Sequence, residues 1–161
     1  LGEGRLGLRV RWSDPGLRLA ENPGGLVVEA RAAGLGALVL GDATGEVEQT
    51  LCATRRCGRT PLLIASHHGA REGTGAGVLR AARPRWVGIS CGPANRFGHP
   101  HPAVLARVAS AEAAVWITAG SGGACFAPRR PEEAPPGALR VNPLWIRSRP
   151  RWGVGGNRPP E

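Results

Sequence analysis

The stretch Ala37-Leu38-Val39-Leu40-Gly41-Asp42 decides how this chain is read: four apolar residues, then a glycine and a carboxylate. A short, wholly apolar run halted by a turn residue is the mark of a strand buried on both faces, as in a parallel sheet. Two further runs repeat the pattern. Pro61-Leu62-Leu63-Ile64-Ala65-Ser66 stops at His67-His68-Gly69, and Arg85-Trp86-Val87-Gly88-Ile89-Ser90 stops before Asn95-Arg96-Phe97-Gly98-His99-Pro100. Helical stretches separate them. Val47 and Leu51 mark a helix within Gly45 to Cys52, residues Val78 to Ala82 form another closed by Pro84, and Pro102 opens a third carrying Val104, Leu105 and Val108. Alternating strands and helices predict an α/β sheet with parallel strands.

Outward from this centre, Leu26 to Ala30 reads as a strand joined by a turn at Ala33-Gly34-Leu35-Gly36 to the run at Ala37. Leu8, Val10 and Trp12 alternate with arginines, as one side of a short edge strand. Ala114 to Thr118 is a further strand, Gly120 to Gly123 a tight turn and Ala124-Cys125-Phe126 a closing strand. Residues 1–126 are therefore expected to form the folded domain. Residues 127–161, with eight prolines and seven arginines, read as a disordered Pro/Arg-rich tail, in which Trp145 and Trp152 could stack on unpaired bases.

Composition excludes several chemistries. All 21 cationic side chains are arginine, so there is neither a Schiff-base lysine nor a phosphate-binding loop with its lysine. No tyrosine is available as a phenolic acid. A net charge of +9 favours an anionic partner such as nucleic acid, although a chain rich in arginine, alanine, glycine and proline carries such charge without function. Cys52, Cys57, Cys91 and Cys125 contain no C-x-x-C pair and read as single buried thiols. No organic cofactor is expected. No run of 18 apolar residues crosses a membrane, so a soluble piece of a longer protein is expected.

The chemistry is expected where the strands end. In an open α/β sheet, ligands gather beyond the carboxyl ends of the strands. Asp42 is one of two aspartates, and His67, His68, His99 and His101 are all the histidines; each stands in a loop after such a strand. A carboxylate and imidazoles form a ligand set for zinc or manganese, and a pair of such ions can clamp a phosphodiester. Arg96 has the fork geometry to hold a phosphate. The plainer readings are Asp42 as a helix N-cap, His67-His68 as a loop with satisfied imidazoles, and Asn95 to Pro100 as a turn whose histidine caps the next helix. Ser66 beside His67 is discounted as a nucleophile for want of a Gly-x-Ser-x-Gly elbow.

The ordered trio Leu38-Val39-Leu40-Gly41-Asp42, Ser66-His67-His68-Gly69 and Asn95-Arg96-Phe97-Gly98-His99-Pro100 resembles the C-terminal metallo-β-lactamase-like domain of the ComEC family, over roughly residues 20–126. These are inner-membrane competence proteins through which a DNA strand enters the cell. The resemblance implies the C-terminal half of an αββα sandwich holding two divalent metals, manganese or zinc. It implies a phosphodiesterase or nuclease acting on DNA, alongside a transmembrane channel region in the parent protein. Asp42 would match the metal-bridging carboxylate and His67 a metal ligand, with His68 the near alternative and His99 in the same pocket. Asn95 and Arg96 would orient phosphate. One departure is plain: the family's His-x-His-x-Asp-His is absent, since His67 is the first histidine of the chain. Either the upstream part lies outside this sequence or the gene is broken, and the chain alone is expected to be inactive. A non-catalytic DNA-binding module of the same fold, or another hydrolase of that superfamily, stands as the alternative.

Overall fold

The structure, a computed structural model, describes residues 6–13, 25–32, 35–128 and 139–144. Its centre is a six-stranded sheet in the order β1-β2-β3-β4-β5-β6, so each strand lies beside its neighbour in sequence. The strands are β1 (Gly7–Ser13), β2 (Leu26–Ala32), β3 (Leu35–Val39), β4 (Leu62–Ile64), β5 (Trp86–Ile89) and β6 (Ala114–Ile117). The first three are antiparallel; β3 to β6 are parallel. The connections between the parallel strands carry α1 (Gly45–Ala53), α2 (Ala76–Ala82) and α3 (Pro102–Ser110). This mixed α/β architecture is the one expected from the three apolar runs.

The core lies on the helix side of the sheet. Leu38, Leu63 and Val87 sit in register across β3 to β5 and are fully buried, and Val27 is buried on the same face of β2, two residues from Glu29, the partner of Leu38. Val47 and Leu51 of α1, Val78 and Leu79 of α2 and Val104 and Val108 of α3 pack with them in one cluster. Each helix thus buries one stripe and leaves the other to solvent, as its i, i+4 spacing dictates. The opposite face carries Leu8, Val10, Leu26, Val28, Val39, Leu62, Ile64, Trp86 and Trp116, none of them fully buried.

Four local expectations are corrected. Trp12 does not share a side with Leu8 and Val10: the pairing shifts between Val10 and Trp12, so Val10 faces Val28 while Trp12 faces Val27. A β-bulge at Arg11 turns the indole over to the core side, where it packs half-buried. Instead of a tight turn at Gly120 to Gly123, a helical turn, α4 (Thr118–Ser121), leads directly into β7 (Gly123–Pro128). The closing strand does not close the large sheet. It pairs antiparallel with β8 (Leu139–Leu144) in a separate ribbon. Part of the tail is therefore a strand, because Leu139 to Asn142 meets the unpaired backbone of β7. Pro143, which has no N–H to donate, is tolerated on a strand that has no partner on its other side among the described residues. The turn residues Ala33 and Gly34, the turns expected at 13–16 and 22–25 in large part, the rest of the tail and both Trp145 and Trp152 lie outside the described residues.

Candidate functional site at the strand ends

Because β3, β4 and β5 are parallel, the three polar clusters that follow them emerge at the same rim. Backbone bonds tie one cluster to the next. Gly41 is left-handed (φ 56) and offers its carbonyl to the His67 N–H at 2.9 Å. The Gly69 carbonyl accepts from the His101 N–H at 2.9 Å. His68 Nδ1 meets the Ser90 carbonyl at 2.7 Å, which leaves Nε2 as the nitrogen open to a ligand.

Asp42 is half-buried beside this junction and does not cap α1; Thr44 takes the N-cap position. His67 is half-buried and His68 exposed, and both are held left-handed, at φ 48 and φ 56. That conformation costs an L-residue about 1–2 kcal/mol. Gly69 continues the turn at φ 80, and a Cβ there would lie 2.9 Å from Pro100 Cβ. The close approach of the third loop thus depends on Gly69 having no side chain.

The third cluster is a self-bonded loop. Asn95 Oδ1 accepts from the His99 N–H at 2.9 Å, while Asn95 Nδ2 donates to the carbonyls of His99 at 2.7 Å and Gly92 at 2.9 Å. Asn95 therefore shapes the loop with its whole amide rather than presenting it to a phosphate. Arg96 is exposed, its guanidinium carbon 4.8 Å from the centre of the Phe97 ring, and Phe97 stacks on His99 at 5.7 Å. His99 Nδ1 is buried without a hydrogen-bond partner. The histidine that caps α3 is not His99 of this segment but His101 beyond it, whose Nδ1 accepts from the Ala103 N–H at 3.1 Å.

A buried group beneath the rim escaped the sequence reading. Glu48 of α1 is 3% exposed. Its Oε1 accepts from Ser66 Oγ at 2.8 Å and the Thr74 N–H at 2.7 Å, and its Oε2 accepts from the Gly75 N–H at 2.6 Å. From the other side, Arg107 of α3 donates to the carbonyls of Arg71 and Gly73, each at 2.7 Å, and of Thr74 at 3.1 Å. One carboxylate and one guanidinium thus fix the loop on the helix side of the rim, and with it Ser66 at the root of the two histidines. Ser66 is occupied as a structural hydroxyl. The signal was present in the helical spacing, since Glu48 and Leu51 are three residues apart and share a face.

The donor types at the rim suit zinc or manganese, and the unpartnered His99 nitrogen is the kind of atom a ligand would satisfy. Yet among the described residues no three His, Cys, Asp or Glu side chains converge as a metal site requires. A cleft of about 610 Å³ lies elsewhere, along α1 between Trp12, Thr44, Glu46 and Glu72. Among the described residues no helix is long and apolar enough to cross a membrane.

The chain is similar to ComE operon protein 3 of Bacillus subtilis (strain 168). The two are 30% identical over 86 residues, which is 53% of this chain and 11% of that protein. The chain thus corresponds to about a tenth of the length of ComE operon protein 3. No protein-family model matches it.

Proposed function

We propose that this chain is a piece of a membrane-embedded competence protein for DNA uptake, and that its sheet is the C-terminal half of a metallo-β-lactamase-like sandwich. Similarity to ComE operon protein 3 supports the competence role, and the trio of rim clusters supports the sandwich. On this reading the complete domain hydrolyses DNA phosphodiesters with manganese or zinc. Asp42, His67, His68 and His99 are contributions to a ligand set whose remainder lies outside these 161 residues. Arg96 is the phosphate-facing cation.

One observation carries the reading: His67 and His68 are consecutive left-handed residues at the end of a buried parallel strand, bonded through the backbone to the residue before Asp42. Strain of this kind persists where a site requires it. The test is DNA cleavage by the full-length protein with manganese, beside Asp42→Ala. Cleavage that falls at least a hundredfold in the variant is expected. Equal cleavage by both proteins removes Asp42 from the chemistry.

A second reading follows from the lack of three converging donors among the described residues. The domain would then be a non-catalytic DNA-binding module. Its mark is binding that weakens steeply with salt, with no cleavage under any divalent metal.

A further inference from the structure

Cys52 lies in the last turn of α1, and Cys57 follows five residues later in a loop that folds back on the helix end. The backbone fixes that return. The Arg55 N–H donates to the Cys52 carbonyl at 3.1 Å and the Arg56 N–H to the Leu51 carbonyl at 2.8 Å, with Arg55 left-handed at φ 54. The two Sγ atoms come to 3.1 Å, and both are free thiols. That separation is about 1 Å beyond a sulfur–sulfur bond.

We infer that Cys52 and Cys57 form a dithiol site that closes to an intramolecular disulfide by exchange with a small anionic disulfide of the glutathione type. The two sulfurs have distinct parts. Cys52 is half-buried and open to solvent, whereas Cys57 is 6% exposed. Burial, with Cys52 beside it, pushes the Cys57 thiol up to about 12. The thiolate of Cys52 attacks one sulfur of the oxidant, and the first small thiol leaves with the proton that Cys52 has lost. Cys57 then attacks the Cys52 sulfur of the mixed disulfide; its proton goes to the second departing thiol. Two protein thiols are oxidised, and one disulfide is reduced to two thiols. Arg55 and Arg56, both exposed between the cysteines, favour an anionic oxidant at this spot. Because the pair sits at the far end of α1 from Asp42, the inference does not rest on the metal reading.

The test equilibrates the full-length protein in glutathione buffers from reducing to oxidising. Remaining thiols are trapped by alkylation under denaturing conditions, and tryptic peptides are mapped with and without reduction. Trypsin cuts after Arg55 and Arg56, so the disulfide appears as two peptides that separate on reduction. The expected result is that linked species in the oxidising buffers, with Cys91 alkylated throughout. Glutathione held on Cys52 with Cys57 still alkylated, both thiols unchanged, or either one linked to another cysteine would overturn the inference. Cys57→Ser is expected to arrest Cys52 as a stable glutathione adduct. Should that buried substitution unfold the protein, the milder Cys52→Ser decides: oxidation of Cys57 should slow at least tenfold, and an unchanged rate overturns the proposed order of attack.

Discussion

Glu48 is an acid in the middle of a nine-residue helix, and its side chain is enclosed by Ser66, Thr74 and Gly75 rather than by water. Hydrogen bonds to a charged acceptor are the strong ones, and removing such an acceptor strands the donors aimed at it. Glu48→Gln keeps the shape but turns an amide N–H toward one of two backbone N–H groups. It should destabilise the protein by about 1–3 kcal/mol, and Glu48→Ala by more, as read from denaturant unfolding. Glu29, 3% exposed, behaves differently. Burial raises its pKa, but the hydrogen bonds and charges of Arg31 and Arg11 outweigh it and hold the carboxyl below its ordinary value. A carboxyl lowered in the folded state binds fewer protons there than in the unfolded chain, so its contribution is complete above the unfolded value of 4.5. Stability should therefore fall as pH drops from about 4.5 through the lower folded value, and Glu29→Gln should flatten that fall. An acid limb of equal steepness in both proteins would count against this pairing.

At the scale of elements, the parallel strands and their helices were legible because their signal is local: apolar runs of four to six residues, turn residues after them, and i, i+4 pairs between. The Arg11 bulge was not, because it arises only when β1 meets β2 and one residue is left over. Nor was β8, whose strand character depends on β7 beside it. Within the candidate site, the sharing of one rim was readable from strand direction. The use of Asn95 to close its own loop, and the contact of Cys52 with Cys57, depend on backbone turns with no sequence signature. The turn Ser66–Gly69 lends itself to a direct test, since His67 and His68 are held left-handed within it. Glycine removes the steric cost of that conformation and alanine keeps it. His67→Gly should thus be about 1 kcal/mol more stable than His67→Ala, and at least as stable as the parent. Both variants lose the imidazole equally. Equal stability of the two would mean that His67 carries no backbone strain, and the principal support for a functional rim would be lost.

For the molecule as a whole, the two faces of the sheet differ. The helix side carries the buried cluster, whereas on the opposite side Leu8 and Val10 are 64% and 63% exposed and Leu26 50%. Antiparallel register places Leu8 and Val10 against Ala30 and Val28, so the exposed residues continue a half-buried apolar surface across β2 and β3. A contiguous exposed apolar surface of this kind is expected to meet another surface or to be a liability. The 161 residues alone, taken out of the longer protein proposed above, should therefore bind a hydrophobic reporter dye in their native buffer. Edge position makes the test tractable: β1 has no partner on its outer side among the described residues. Charges there are accommodated without disturbing the core behind Val27 and Leu38. Leu8→Lys with Val10→Lys should lower dye fluorescence by about half or more while leaving the unfolding free energy within about 0.5 kcal/mol of the parent. Dye binding that persists at full strength in the double variant would place the accessible apolar surface elsewhere. A large loss of stability would instead mean that this edge is packed in solution, and the sheet would then need no further cover there.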